Sequence, residues 1–318
     1  MSDVTPLRVA FFGTPEIAVP TLARLLEGPH EVVVVVSQPD RGRGRGRKTS
    51  PSPVSRLAQE AGVTLLRPER VGDDECLAAL RETDPDLGVV VAFGQFLPRK
   101  VRELPRKGYL INAHASLLPR HRGAAPIHHA IRCGETKTGI SVMRVEREMD
   151  AGPVALVKET PIGPDEDAGS LTERLGVLAA EAIAEAVDAI AEDGVTWTEQ
   201  DASLATLAPK IEKADTIIDW KQDAGSVARM IRALAPTPGA VTRLDGEPLR
   251  ILAAAVDDSP ASDEPGCVRH RGTGPSVATG DGWLLPTRVQ RAGGKPMEIG
   301  AFLRGRPIED GTRLGDET

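Results

Sequence analysis

Residues able to stabilise an oxyanion and to carry a proton stand together at the end of one apolar run. Asn112 and His114 lie two positions apart, where the run 109–113 gives way to a polar loop. Side chains two positions apart on an extended chain project to the same side, so both could reach one substrate. An asparagine amide donates to an oxyanion without changing charge, and a histidine can carry a proton near neutral pH. The spacing therefore indicates either a catalytic pair or a polar strand end satisfied by neighbouring backbone.

Asp150 is a candidate partner for that imidazole. It follows a later strand-like run, in the segment 148–152, which reads Glu-Met-Asp-Ala-Gly. A carboxylate beside a histidine orients the ring and favours its charged form. A turn aspartate is the alternative interpretation, and the spacing alone does not bring Asp150 to His114.

Three other chemistries match the sequence poorly. The first strand-like run is followed by the turn 13–16, which has one glycine, whereas a dinucleotide fingerprint needs three. Ser116 lacks the GxSxG elbow of a serine hydrolase. His121, His128 and His129 form neither an HExxH pattern nor a Cys/His cluster, so we expect no metal site. The single glycine in the turn 13–16 therefore also argues against a nicotinamide-dependent oxidoreductase, which would have to bind a dinucleotide.

Positive charge is concentrated in two short stretches. Residues 41–48 alternate arginine with glycine and hold five cations and no acid, and 288–306 hold five cations and one acid. The loop 39–53 is too long for a simple strand-to-helix connection, and its pattern suits wrapping of phosphates. A solvated charged loop is the alternative. Because the whole chain carries a net charge of −7, bulk attraction to nucleic acid is excluded, but a polyanion held at two patches is not.

Composition indicates a globular protein with more than one domain. The chain has 318 residues, of which 40% are hydrophobic and 27% charged, and this length exceeds the usual size of a single domain. We expect no signal peptide and no membrane span, because the apolar runs are only strand-sized. The three cysteines contain no CxxC pair, which favours a reduced, cytoplasmic protein.

Alternating strand-like and helix-like segments predict a doubly wound, mostly parallel α/β sheet in the first two-thirds of the chain. Ser170 and Glu173 form a capping box before a long amphipathic helix that ends near Gly194. Beyond it, short β-branched runs separated by glycine and proline predict a small β-barrel. We expect a catalytic domain at 1–205, a linker at 206–212 and the barrel domain at 213–318.

One stretch resembles the signature of the folate-dependent formyltransferases. It runs from Asn112 through Ala-His-Ala-Ser-Leu-Leu-Pro-Arg-His-Arg-Gly-Ala-Ala-Pro to Ile127, with Asp150 in Met-Asp-Ala-Gly-Pro. The basic loop and six further segments are similar to the methionyl-tRNA formyltransferases of that family, and the resemblance covers about residues 7–306. The six segments are 38–41, 51–54, 208–213, 218–220, 238–240 and 302–305.

The sequence departs from the family pattern at a few positions. His121 stands where an aromatic residue is common, Thr237 where tryptophan is common, and Gly42 and Arg43 where proline and alanine are common. These departures concern the packing of the folate loop and the fit to RNA rather than the reaction.

The resemblance implies transfer of a formyl group from 10-formyltetrahydrofolate to the α-amino group of methionine on initiator methionyl-tRNA. It implies a Rossmann-type catalytic domain, an OB-like barrel along the tRNA, a monomer, and no metal or redox cofactor. Asn112, His114 and Asp150 would be catalytic. The folate site would be lined by Val91, Phe93, Gly94, Ser116, Leu117, Leu118 and Pro119. The tRNA would contact Arg41, Arg43, Arg45, Arg47, Lys48, Lys210, Lys213 and Arg304.

Two alternatives stay open at this point. A formyltransferase acting on an amino-sugar nucleotide would share the catalytic signature but would have little need for the Arg-Gly loop. A non-catalytic RNA-binding protein could retain a formyltransferase-like domain.

The Arg-Gly loop generates a first prediction. Arg45→Ala should lower transfer to methionyl-tRNA by at least about tenfold, because a charged contact to phosphate contributes about 1.5–3 kcal/mol. Steady-state kinetics with methionyl-tRNA check this, with Arg24→Ala, a cation outside both stretches, as the control. Unchanged kinetics would show that the loop does not contact the RNA.

Overall fold

The computed structural model describes residues 5–43, 48–271 and 274–315. The chain divides into two compact units. The first comprises Met1–Pro126, Lys137–Pro161 and Thr172–Ala208, and the second comprises Ile127–Thr136, Ile162–Leu171 and Pro209–Thr318.

A seven-stranded sheet is the centre of the first unit. Its order is β5-β2-β1-β6-β7-β8-β9; the first five strands run parallel, and β8 and β9 join antiparallel. This arrangement confirms the predicted mostly parallel α/β fold. A separate antiparallel hairpin joins β3 to β4. The strands are β1 (Arg8–Gly13), β2 (Glu31–Val36), β3 (Arg41–Arg43), β4 (Lys48–Ser50), β5 (Leu65–Leu66), β6 (Leu87–Val91), β7 (Leu110–His114), β8 (Lys137–Arg144) and β9 (Val154–Pro161).

The central strands are apolar on both sides because helices cover both faces of a doubly wound sheet. Every residue of β6 is buried, and so are Phe11 and Phe12 of β1. Amphipathic helices supply the cover; α1, for example, buries Leu22 and Leu25. The helices up to residue 191 are α1 (Val19–Glu27), α2 (Pro53–Glu60), α3 (Asp74–Glu82), α4 (Arg99–Arg102), α5 (Pro126–Arg132) and α6 (Ala168–Ala191).

The start of α6 corrects the sequence prediction. Ser170 lies inside the helix, and Asp167 caps it: the Asp167 Oδ1 accepts the Ser170 N–H at 2.8 Å and the Ser170 hydroxyl at 2.7 Å. The predicted capping box is therefore wrong. The Asp167 carboxylate accepts the Ser170 N–H, and the Ser170 hydroxyl donates to Asp167 instead of capping the helix itself. The end was predicted correctly, since the Gly194 N–H returns to the Ala189 carbonyl at 2.9 Å.

An antiparallel sheet of short strands forms the second unit and confirms the predicted small β domain. Its order is β10-β11-β14-β13-β12, with β15 pairing to β14. Trp220, Ile231, Ile251, Val289 and Phe302 are among the residues of its core. The elements are α7 (Ala224–Leu234), β10 (Ala240–Leu244), β11 (Glu247–Asp257), β12 (Val268–Arg271), β13 (Gly274–Ala278), β14 (Trp283–Arg291), β15 (Met297–Glu298) and α8 (Ile299–Gly305).

The cysteines are unpaired and differ in exposure. Cys76 is buried, Cys133 is exposed and Cys267 is half-buried. Burial, together with the charges of Asp73 and Glu75, raises the pKa of the Cys76 thiol, so this thiol is a packing group and not a nucleophile. Across the described residues, no helix combines the length and the apolar character that crossing a membrane requires.

The cap of α6 generates a stability prediction. Asp167→Ala should lower the free energy of unfolding by about 1 kcal/mol, because the Ser170 N–H loses its acceptor. Asp167→Asn retains an acceptor oxygen and should stay close to the parent protein. Urea denaturation followed by circular dichroism measures both variants, and equal stability of Asp167→Ala and Asp167→Asn would contradict the assignment of the cap.

Candidate active site

β7 carries the two residues that the sequence singled out. It lies between β6 and β8, and Asn112 sits opposite Val90 on one side and Met143 on the other. The Asn112 side chain is half-buried and makes no hydrogen bond with any described residue. His114, at the carboxyl end of the strand, is 5% exposed. Strand alternation puts both residues on one face of the sheet, at the edge where α/β proteins bind ligands.

The His114 ring meets a different group at each nitrogen. Its Nε2 lies 2.9 Å from the His121 carbonyl oxygen, and its Nδ1 lies 3.6 Å from the Asp150 Oδ2. A carbonyl oxygen only accepts, so Nε2 must carry a proton. A second proton on the ring would therefore sit on Nδ1 and face the carboxylate. The structure thus places Asp150 beside His114, a proximity that the spacing in the sequence could not show.

Asp150 reaches the ring from a left-handed backbone conformation, with φ of +54°. Its Oδ2 accepts the Gly123 N–H at 2.8 Å. Gly123 has a φ of +126°, and a Cβ there would lie 2.6 Å from the Ala208 carbonyl oxygen, so no larger residue fits. The glycine is required for the amide to approach the carboxylate.

His121 supplies the other contact to the ring and is also left-handed, with φ of +59°. Its N–H donates to the Thr206 Oγ1 at 2.9 Å, and the next N–H, that of Arg122, donates to the Thr206 carbonyl at 2.8 Å. Ala208 continues this pairing with the Arg122 carbonyl at 2.7 Å. Residues 206–208, which the sequence suggested as part of a linker, therefore hold the loop that carries His121.

Like Gly123 and Thr206, Arg122 and Gln200 belong to this arrangement although the sequence analysis does not predict them as site residues. The Arg122 side chain is buried and donates two N–H groups to the Gln200 Oε1, at 3.1 and 2.8 Å. The Gln200 Nε2 donates to the carbonyls of Asp150 and Gly152, at 2.8 and 2.7 Å. Arg122 is part of the quoted signature, but no local pattern distinguishes Gln200 from other polar loop residues.

In the loop 91–94, the side chains of Val91 and Phe93 are buried, so a ligand would contact mainly the backbone. Val91 and Phe93 are each 2% exposed, and the Phe93 ring packs edge-on against Phe12 at 5.7 Å. The Phe93 carbonyl accepts the Thr14 hydroxyl at 2.9 Å and the Gln38 Nε2 at 3.1 Å. The same loop exposes a left-handed Gly94, with φ of +81°. A ligand here would meet Gly94 and the exposed backbone rather than the Phe93 ring.

Residues 116–119 are fixed by internal hydrogen bonds. The buried Ser116 donates its hydroxyl to the Arg120 carbonyl at 2.6 Å, which leaves it unsuited to be a nucleophile. The Ser141 hydroxyl donates to the Ser116 carbonyl at 2.7 Å and accepts the Leu118 N–H at 3.0 Å. Leu117, Leu118 and Pro119 are half-buried, so this loop presents an apolar edge near β7.

The cations assigned to RNA are exposed where the structure describes their side chains. Lys210, Lys213 and Arg304 are exposed, and the Lys210 Nζ lies 4.0 Å from a Glu212 oxygen. Arg41 and Arg43 lie on β3, and Lys48 lies on β4. Arg45 and Arg47 lie outside the described residues. Over the part of the chain that the structure describes, no three His, Cys, Asp or Glu side chains are grouped to hold a metal.

Two family models match the chain, formyl transferase over residues 7–187 and the formyl transferase C-terminal domain over residues 210–307. The chain belongs to the formyl transferase family. A methionyl-tRNA formyltransferase from Geobacter metallireducens is 44% identical over 310 residues, covering 97% of this chain and 99% of the relative. A methionyl-tRNA formyltransferase from Geobacter sulfurreducens is 44% identical over 311 residues, covering 98% and 97%. The family resemblance noted in the sequence is thereby confirmed.

Solved structures share the fold of this formyl transferase. WlaRD, a sugar 3N-formyl transferase crystallised in the presence of dTDP and 5-N-formyl-THF, superposes with a TM-score of 0.66. The match covers 90% of this chain and 98% of that one, at 16% identity. At this identity the likeness concerns the fold and not the acceptor.

The hydrogen bonds of the His114 ring generate a prediction about its neutral form. The proton should sit on Nε2, because the His121 carbonyl accepts it. Two-dimensional ¹H–¹⁵N spectra of protein labelled at its six histidines report the tautomer. His30 is an internal reference, because its Nδ1 accepts the Leu7 N–H and its Nε2 faces Asp188. An Nδ1–H tautomer at His114 would contradict the geometry.

Proposed function

We propose that this formyl transferase moves the formyl group of 10-formyltetrahydrofolate to the α-amino group of methionine on initiator methionyl-tRNA. The observation that carries the proposal is the His114 ring, held between the His121 carbonyl and the Asp150 carboxylate, two residues after an unbonded Asn112 amide. The full-length likeness to methionyl-tRNA formyltransferases supports the choice of acceptor. The function predicted from the sequence is thus also the one that the site supports best.

Asn112 stabilises the charge that develops during the reaction. The neutral amine attacks the formyl carbon, a C–N bond forms, and the carbonyl electrons move onto the oxygen. The Asn112 side-chain N–H groups have no other partner among the described residues and are available to donate to that oxygen. A donor placed before the reaction needs no reorganisation when the charge appears.

His114 and Asp150 move the protons. Because Nε2 is committed to the His121 carbonyl, Nδ1 is the ring atom that exchanges a proton. The 3.6 Å separation from the Asp150 Oδ2 is longer than a direct hydrogen bond and allows a shared proton acceptor such as water. The proton released by the attacking amine passes to this pair. Nδ1 then returns a proton to the folate nitrogen as the bond from that nitrogen to the formyl carbon breaks. The products are N-formylmethionyl-tRNA and tetrahydrofolate.

The folate co-substrate is assigned to the loops 91–94 and 116–119, as the resemblance implies. Two features of these loops support the assignment. Gly94 exposes backbone that can hydrogen-bond a flat heterocycle, and Leu117, Leu118 and Pro119 offer apolar surface. Val91, Phe93 and Ser116 act by fixing the backbone, since their side chains are buried. The first loop follows β6, and the second follows β7, the neighbouring strand that carries Asn112 and His114.

We assign the catalytic role to 1–205 and tRNA binding to the β domain at 213–318 together with the Arg-Gly loop. Residues 206–212 are assigned as the linker, of which 206–208 also contact the loop that carries His121. Exposed cations such as Lys210, Lys213 and Arg304 support this assignment. Contacts of this kind weaken as the salt concentration rises, because binding releases counterions from the phosphates. We propose a cytoplasmic monomer that needs no metal.

The acceptor is tested directly. Formyl transfer from 10-formyltetrahydrofolate is measured with methionyl-initiator tRNA, methionyl-elongator tRNA and an amino-sugar nucleotide in parallel. Transfer to the initiator alone supports the proposal. Transfer only to the sugar would overturn the acceptor, and a folded protein that formylates none of them would overturn the activity.

Removing the oxyanion donor generates a prediction on the rate. Asn112→Ala should lower kcat about 100-fold, the usual effect of losing one such donor. Binding of the unreactive analogue 5-formyltetrahydrofolate, followed by calorimetry, should change by no more than about twofold, because the donor acts on charge that the ground state lacks. A loss confined to KM would contradict this role. Asn112 is the only asparagine in the sequence, so asparagine-labelled parent protein gives one side-chain amide signal that reports analogue binding. The folding of the Asn112→Ala variant is checked by circular dichroism.

A further inference from the structure

The segment 197–206, which follows α6, contacts both loops that meet the His114 ring. Gln200 bonds the Asp150 loop, and Thr206 bonds His121. The two loop residues are non-glycine residues in the left-handed region, with φ of +54° and +59°. Such a conformation costs roughly 1–2 kcal/mol for an L-residue and persists only where the surroundings enforce it. The hydrogen bonds from 197–206 are therefore placed where the backbone needs support.

The Gln200 amide has a single orientation consistent with its neighbours. Arg122 can only donate, so it faces the Gln200 Oε1, and the two carbonyls can only accept, so they face the Nε2. All four polar contacts of the amide are thereby used. The two carbonyls belong to Asp150 and Gly152, one at the left-handed residue and one just beyond it, so the amide spans the turn that presents the carboxylate.

Gln200 is itself held from the preceding residues. Thr198 and Val154 exchange two backbone hydrogen bonds of 2.8 Å, which fix the segment to the start of β9. The Trp197 ring covers the Arg144 guanidinium at 4.3 Å, at the end of β8. The Asp150 loop connects the end of β8 to the start of β9. Trp197 and Thr198 contact these two strand ends, and Gln200 bonds to the loop between them.

We propose that Gln200 is a positioning residue for formyl transfer, which acts by holding the Asp150 carboxylate against the Nδ1 of His114. Thr206 does the same for the His121 carbonyl at Nε2. The inference rests on the proposed function for its kinetic consequence, but its geometric part does not need that function.

Gln200→Glu isolates the interaction. The carboxylate keeps its size and its pairing with Arg122 but has no N–H for the carbonyls of Asp150 and Gly152. We expect kcat to fall about tenfold to 100-fold, the effect of displacing a reacting group by about 1 Å. The KM for 10-formyltetrahydrofolate should change by no more than about twofold, since the folate loops are not touched. Gln290→Glu is the matched control for folding and for amide exchange, because that amide also accepts from an arginine, Arg250, and donates to a carbonyl, that of Gly294.

A mutant cycle distinguishes positioning from a general loss of stability. In an Asp150→Asn background the side chain that Gln200 positions is already impaired, so Gln200→Glu should then lower kcat by less than about twofold. An equal loss in both backgrounds would overturn the proposal, because Gln200 would then act independently of Asp150.

Amide hydrogen exchange tests the geometry without any assay of activity. The Gly123 N–H is protected by the Asp150 Oδ2, so Gln200→Glu should raise its exchange rate about tenfold or more. The amides of β6 in the same variant should keep their rates. In the Gln290→Glu protein, the Gly123 amide should exchange as in the parent protein. Unchanged protection of Gly123, or lost protection with full kcat, would overturn the positioning role. If the parent protein transfers no formyl group to methionyl-tRNA, the proposed function fails, and the exchange experiment still decides whether Gln200 holds Asp150.

Thr206 has its own pair of variants. Thr206→Val removes the hydroxyl that accepts the His121 N–H and should lower kcat, with some His114 changing to the Nδ1–H tautomer in the ¹⁵N spectra. Thr206→Ser retains the hydroxyl and should restore both properties. A Thr206→Val protein with parental kcat and tautomer would exclude this residue from the positioning set.

Discussion

The site depends on the way one imidazole ring is held. A histidine in solution exchanges freely between two tautomers, but His114 meets an obligate acceptor at Nε2 and a carboxylate at Nδ1. Each nitrogen therefore has a separate role, since Nε2 fixes the ring plane and Nδ1 handles protons. The rest of the first unit serves this arrangement, with a buried parallel sheet as the rigid base and loops at its carboxyl edge as the source of both partners.

The magnitudes show why the segment after α6 matters. Two left-handed residues, His121 and Asp150, together cost on the order of 2–4 kcal/mol. The four hydrogen bonds that 200–206 makes to the backbone of these loops contribute roughly 0.5–1.5 kcal/mol each, or about 2–6 kcal/mol together, which is comparable with that cost. The conformational cost at His121 and Asp150 is therefore offset by hydrogen bonds from residues distant in sequence. Substitutions at Gln200 or Thr206 should consequently displace the groups that contact the His114 ring.

An acidic chain can still recognise a polyanion when its cations are concentrated. The net charge of −7 is spread over the whole chain, whereas residues 41–48 carry five cations without an acid. At physiological salt, charges separated by more than about 8 Å are largely screened, so a phosphate experiences the local cluster and not the sum. Local concentration of charge thus reconciles the composition with an RNA acceptor.

Local patterns predict the mostly parallel sheet, the small β domain, the family and the strand that carries Asn112 and His114. These features follow from patterns that neighbouring residues create, such as the unbroken apolar run of β2 and the signature around His114. Three other features required the folded chain: Asp167 rather than Ser170 caps α6, Asp150 reaches the His114 ring, and Gln200 and Thr206 hold the loops. Each of these outcomes depends on which distant acceptor or donor is nearest in space. A left-handed backbone at His121 or Asp150 is unfavourable for an L-residue, and contacts made elsewhere in the chain stabilise it.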